Sequence, residues 1–211
     1  VYKGNTLTQN IRDFQEKDRH NVILANPPYS IKSWNRKGFE NDPYGRNIWG
    51  TPPQGCADYA FQQHIQKSLN PKKGRSISLW PHGVLFRDNE TKIRKKMLQD
   101  DIVECVISLG PNLFYNSSMD SCLLITNNNI IQNKILFIEA KNEIRREKKI
   151  SYLDTKHINR IYEAYLNFKN EKNFSSVVNS EEILKDKNIR LSVPLYVKNN
   201  KENQIGDLKS L

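Results

Sequence analysis

The chain is poor in most of the features that mark secreted, metal-bound or membrane proteins. Only three cysteines, Cys56, Cys105 and Cys122, occur in 211 residues. Their number is odd, their spacing is wide, and no Cys-x-x-Cys pair or Cys/His cluster accompanies them. That excludes a disulfide framework and leaves no set of metal ligands. Free, buried thiols in a reducing compartment are expected instead. No stretch approaches the ~20 apolar residues of a membrane span, and no signal segment is visible, so a cytoplasmic location is expected. There is no internal repeat. Hydrophobic residues make up 37%, a low share, yet enough for the core of one domain with a small appendage. Positive charge is in surplus, with a net +10. A basic balance favours nucleic acid or another polyanion. Abundant Lys, Asn and Ile also follow from a biased genome composition, so charge alone supports that reading only modestly.

The most informative stretch is Asn26-Pro27-Pro28-Tyr29. It follows the apolar run Val22-Ile23-Leu24-Ala25, which reads as a short buried strand. Two prolines forbid the strand from continuing, and Asn26 and Pro27 are both pushed towards extended backbone. A stiff segment therefore sits at the carboxyl end of a strand, where ligands bind in open α/β sheets. An amino group on an aromatic ring is a poor nucleophile, because its lone pair is delocalised. Two acceptors aimed at its N–H bonds favour a pyramidal nitrogen. The Asn26 side chain and the Pro27 carbonyl are of the required type, and Tyr29 offers a flat face for a base. Methyl transfer to an exocyclic amine on a flipped nucleotide suits such a site. A proline-stiffened turn that packs Tyr29 into a core explains the tetrapeptide equally well.

Residues 30–55 lack apolar periodicity and contain Pro43, Pro52, Pro53 and two tryptophans. A loop of this length is either functional or disordered. Its Lys32, Arg36, Lys37 and Arg46 alternate with Trp34, Phe39, Tyr44 and Trp49. That mixture fits nucleic acid, although an ordered flap tacked to the sheet by its aromatics is the favoured reading. Residues 57–69 predict a helix with Phe61, Ile65 and Leu69 on one face and Asp58 in its first turn. Strands are expected at 76–80, 102–109, 121–126 and 135–140. A helix capped by Asn89 is expected to run to about Gln99, buried through Ile93 and Met97, with Lys92, Arg94, Lys95 and Lys96 solvated. Residues 141–149 read as a charged linker, either solvated or facing DNA. Residues 155–170 predict an amphipathic helix with the stripe Ile158, Ile161, Tyr162, Tyr165 and Leu166. Ser180 is a candidate cap for a short helix through Leu184, and 199–211 reads as a polar tail.

Further segments follow the tetrapeptide in order: Gly50-Thr-Pro-Pro53, Ala57-Asp58-Tyr-Ala-Phe61, the run from Gly74 through Pro81-His-Gly83 to Phe86-Arg87, Asn112-Leu-Phe114-Tyr115, and Arg190 to Val197. Together they resemble the methylation (M) subunit of type I restriction–modification systems, an adenine-N6 DNA methyltransferase, over residues 1 to about 198. The resemblance implies an α/β, Rossmann-like methyltransferase fold that uses S-adenosylmethionine. Residues 1–150 would be the carboxyl-terminal portion of the catalytic domain, and 151–198 a helical extension. The resemblance also implies roles. Asn26, Pro27, Pro28 and Tyr29 are catalytic, Tyr29 and Phe114 sandwich the flipped base, and Asn5, Asn26, Asp58 and Phe61 lie at the cofactor. Double-stranded DNA and separate specificity (S) and restriction (R) subunits are the implied partners. The family's Gly-rich cofactor loop lies upstream of the tetrapeptide, and no such loop occurs in residues 1–25. A partial sheet that lacks its first strands and has an exposed edge is therefore expected. Two alternatives stand beside this one: an RNA or protein-glutamine N-methyltransferase, and a catalytically incomplete chain that only binds DNA or a partner subunit.

Overall fold

A computed structural model describes residues 3–9, 19–114, 118–129 and 133–197. Tyr115 and the polar tail at 199–211 lie outside the described residues. In chain order the elements are β1 (Val22–Ala25), α1 (Arg36–Glu40), α2 (Asp58–Ser68), β2 (Arg75–Pro81), α3 (Thr91–Gln99), β3 (Val103–Leu109), β4 (Ser121–Asn127), β5 (Lys134–Ala140), β6 (Arg145–Glu147), β7 (Ile150–Tyr152), α4 (Thr155–Asn167), β8 (Ser175–Asn179) and α5 (Ser180–Leu184). Six strands form one sheet in the order β1-β2-β4-β3-β5-β8, and β6 and β7 form a separate hairpin. β1 is parallel to β2, and β3 to β5, while β4 runs antiparallel between β2 and β3. The strands β1, β2, β3 and β5 therefore all end at the same side of the sheet.

Each face carries its own core, because alternate residues of a strand point to opposite sides. On one face Trp80, Val103, Val106 and Phe137 pack with Tyr59, Phe61, Ile93, Met97 and Ile183 of the helices. On the other, Leu79, Ile107, Leu109 and Ile138 pack with Ala164, Ile161 and Tyr165 of α4. The three cysteines are free and buried. Among the described residues no helix is long and apolar enough to cross a membrane.

Several expectations need correction. β1 is not buried: Val22 and Leu24 are 65% and 76% exposed. Only β2 pairs with this strand, and nothing among the described residues covers its second face. Asn89 does not cap α3. It lies in a 3-10 turn over Asp88–Glu90, and Glu90 takes the capping position. Arg94 is buried, not solvated, since it shares a helix face with Ile93, Met97 and Leu98. Its guanidinium donates to the carbonyls of Ile189, at 2.7 Å, and Asn188, at 3.0 Å, and so ties the late segment to α3. Tyr196 stacks on Phe137 with ring centroids 4.2 Å apart, and with the buried Leu191, Val193 and Val197 it ties the 190–197 segment to the core. Only helices are read from the sequence after residue 150, yet β8 joins the main sheet beside β5.

The long loop is an ordered flap. Phe39 and Trp49 are buried, and Gln63 of α2 accepts from the Trp49 amide at 2.7 Å while donating to the Gly50 carbonyl. Arg46 is fully buried and paired with Asp42. It also donates to the carbonyls of Thr6 and Leu7, which makes it an internal strut and no nucleic-acid contact. Lys32 and Lys37 remain exposed.

Candidate active site

The carboxyl ends of β1, β2 and β3 gather three of the sequence-predicted segments. Asn26–Tyr29 leaves β1, His82–Arg87 leaves β2, and Phe114 follows β3. Asn26 is exposed, and its side-chain oxygen accepts a hydrogen bond from the Tyr29 hydroxyl at 3.1 Å. Burial, with smaller contributions from Cys122 and Asp58, pushes the Tyr29 phenol up to about 12, so it stays protonated and able to donate. Tyr29 is half-buried and packs against the cores of both faces, and Phe114 packs against the second of them. Both aromatics thus follow the carboxyl ends of their strands and pack against the second core.

Beneath the tetrapeptide lies a buried polar cluster. Ser30, the next residue, has φ 50°, a left-handed conformation that side chains other than Gly and Asn seldom adopt. Its amide donates to Asp58 at 2.6 Å. The second Asp58 oxygen accepts from Arg87 and from the Cys56 thiol, each at 3.0 Å. Burial and the hydrogen bond to Asp58 push this thiol up to about 12, so it remains a donor. Arg87 also reaches Glu90 at 3.3 Å, and burial pushes the Glu90 carboxyl up to about 7 against the pull of Arg87. Gly83 makes the arrangement possible: a Cβ there would fall 2.6 Å from the Arg87 guanidinium, which lies over the bare glycine.

The predicted cofactor residues are dispersed in character. Asn5 is exposed and caps its own turn by accepting from the Leu7 amide at 3.0 Å. Phe61 is 8% exposed in the first core, which it shares with Leu7. Asp58 has a side chain with 0% exposure, and Ser30, Arg87 and Cys56 already occupy its carboxylate. The contacts that the structure gives the Asp58 carboxylate are all internal. No group of three or more His, Cys, Asp or Glu side chains suited to a metal occurs among the described residues.

The residues that sequence reasoning missed are Ser30, Cys56, Gly83 and Arg87 as one unit. Gly83 and Arg87 stand four apart across a turn, a spacing that places an arginine head back over a glycine. Ser30 carries no signal, because serine does not advertise a positive φ.

A mixed sheet with helices on both faces, and an Asn-Pro-Pro-Tyr segment at the carboxyl end of a strand, fit the α/β class of Rossmann-like methyltransferase folds. The pattern of the N-6 DNA Methylase family matches residues 1–204, and the chain belongs to that family. It is 34% identical over 200 residues to the type I restriction enzyme MjaVIII methylase subunit of Methanocaldococcus jannaschii, covering 88% of this chain and 33% of that protein. It is 33% identical over 195 residues to the type I restriction enzyme MpnII methylase subunit of Mycoplasma pneumoniae, covering 90% and 35%. The solved type I restriction-modification methyltransferase subunit from Streptococcus thermophilus superposes with a TM-score of 0.84 at 32% identity, over 92% of this chain and 41% of that one. The chain spans about a third of the length of the curated relatives that it matches.

Proposed function

We propose that this chain carries the base-accepting part of an adenine-N6 DNA methyltransferase of a type I restriction–modification system. One observation carries the reading: an exposed Asn26 amide, followed by two prolines and a half-buried Tyr29, sits at the carboxyl end of β1, on the same side of the sheet as the carboxyl end of β3, after which Phe114 follows. The Tyr29 hydroxyl donates to the Asn26 side-chain oxygen. A flipped adenine would exchange that donor for its own N6 amine, with the Pro27 carbonyl as the second acceptor. The two acceptors draw the nitrogen towards a pyramidal shape and free its lone pair. The proton is lost after attack, so no dedicated general base is required. Tyr29 and Phe114 hold the ring, at about 1–3 kcal/mol for a stacked base.

S-adenosylmethionine, when bound, supplies the electrophilic methyl group. The described residues fit one rim of its site: Asn26 and Asn5 are exposed, and Phe61 retains a small open surface. Relatives named as subunits of type I restriction enzymes support partnership with S and R subunits. Duplex DNA is the fitting substrate. The β6–β7 hairpin supports this, since it is anchored beside the Phe114 loop by the Ser151 amide donating to the Asn112 carbonyl at 2.9 Å. Its Arg146, Lys148 and Lys149 are exposed and have no ion-pair partner among the described residues.

The test is a methyl-acceptor assay with labelled S-adenosylmethionine, using the protein as it is encoded together with any subunits that co-purify. Label in duplex DNA is the expected result. Label confined to RNA or to protein would overturn the assignment.

A further inference from the structure

We propose that Asp58 and Arg87 are positioning residues for methyl transfer, a clamp that holds Ser30 in its left-handed conformation and thereby sets the Asn26–Tyr29 segment. The inference rests on the amino-methylation reading above and adds to it residues that touch neither base nor cofactor.

Ser30 closes the tetrapeptide at its carboxyl end, while β1 pairing holds its amino end. A serine at φ 50° is costly unless its surroundings impose it. Two contacts do so here. The Ser30 amide is fixed by Asp58 at 2.6 Å, and the Ser30 hydroxyl lies 3.5 Å from the Arg87 guanidinium. Asp58 is itself fixed by its place in the first turn of α2 and by Arg87, and Arg87 by Glu90 and the space over Gly83. The chain of contacts joins α2, the turn after β2 and the loop after β1. The predicted segments Ala57–Phe61 and Pro81–Arg87 thus have a shared mechanical purpose: they fix where the Asn26 acceptor points. Methyl transfer is sensitive to that placement, since a displacement of ~1 Å in a reacting group costs on the order of 100-fold in rate.

The experiment compares wild type, Asp58→Ala, Asp58→Asn, Gly83→Ala and the double variant Asp58→Ala/Ser30→Gly, in the protein as encoded with its co-purifying subunits. The readouts are single-turnover methyl transfer to DNA, calorimetric affinity for S-adenosylmethionine and thermal melting. Asp58→Ala is expected to lower the single-turnover rate by on the order of 100-fold with cofactor affinity changed less than about threefold. Asp58→Asn keeps an acceptor for the Ser30 amide but turns an amide donor towards Arg87 and Cys56, so its rate is expected to fall between those of wild type and Asp58→Ala. Gly83→Ala displaces only the far end of Arg87, so it is expected to fold and to lose rate in the same direction. The decisive result is rescue: glycine adopts a positive φ without help, so Ser30→Gly should restore at least about tenfold of the rate lost in Asp58→Ala. If Asp58→Ala instead weakens cofactor binding and Ser30→Gly restores nothing, Asp58 is a cofactor residue and the clamp is wrong. Should Asp58→Ala fail to fold, a Gly83→Ala rate within threefold of wild type overturns the clamp by itself. A wild type inactive on DNA would refute the proposed function and this inference with it, whereas an active wild type with unaffected variants refutes the inference alone.

Discussion

Asn26 and Tyr29 are joined by a hydrogen bond that the proposed reaction must break. Two substitutions separate the uses of Tyr29. Tyr29→Phe keeps the ring and removes the hydroxyl that competes for Asn26, so DNA methylation should stay within about threefold of wild type. Tyr29→Ala removes the stacking face, and the loss of about 1–3 kcal/mol should appear as weaker binding of an extrahelical base. Fluorescence of 2-aminopurine at the target position reports that directly. A second residue-scale consequence concerns His64. Burial, reinforced by Arg46, lowers its pKa from 6.5 to about 4. The unfolded chain therefore binds more protons than the folded one between those values, and stability falls as pH drops from about 6.5 to about 4. His64→Gln should flatten melting temperature against pH in that window, by up to about 2 kcal/mol after allowing for partial solvent access. An unchanged acid limb would show that His64 is not the group responsible. At this scale the sequence disclosed the chemistry-bearing side chains but not their partners. Asn26 and Tyr29 announce themselves through two prolines, whereas Ser30, Arg46 and Arg94 look like ordinary polar residues and become structural only through contacts distant in the chain.

Elements with strong periodicity or long apolar runs were legible. β2, β3, β4 and β5 and helices α2 and α4 fall within a few residues of where pattern alone puts them. The elements that escaped are those whose reason for existing lies elsewhere in the fold. β8 reads Ser-Ser-Val-Val-Asn and forms because the edge of β5 is available to it. In the hairpin of β6 and β7 the first strand and the turn are wholly charged, and the chain turns through Lys148 at φ 54° without a glycine to mark it. That hairpin has a testable consequence. Arg145 is held within it by Glu147, by Asp154 at 3.0 Å, and by the Tyr152 ring 4.8 Å away. The outward Arg146, Lys148 and Lys149 are thus presented on a braced ribbon. Replacing all three with alanine should weaken DNA binding at every sequence alike and reduce the slope of log K against log salt by about 2–3. A slope equal to that of wild type would remove the hairpin from the interface. Helix α4 is divided. Ile161, Ala164 and Tyr165 pack inward, while Ile158, Tyr162 and Leu166 are 52%, 56% and 60% exposed. The single stripe read from the sequence therefore serves two faces.

Over the whole molecule, the sheet gathers its chemistry at the side where β1, β2, β3 and β5 end, and β1 is one of its two edge strands. Two apolar strips stay uncovered among the described residues, one on β1 and one on α4. The β1 edge is a liability for association unless it is paired or covered. Net positive charge agrees with a polyanionic substrate, though much of the basic character near the site is internal: Arg46, Arg87 and Arg94 brace the fold instead of facing outward. The central claim is that Asn26 presents an acceptor to an adenine amine. The most direct measurement is detection of N6-methyladenine by mass spectrometry in unmethylated duplex DNA treated with S-adenosylmethionine and the protein as encoded, beside an Asn26→Ala variant of unchanged melting temperature. The account predicts N6-methyladenine with wild type and none with the variant. Undiminished methylation by Asn26→Ala, or methyl groups found only on another base, would contradict it.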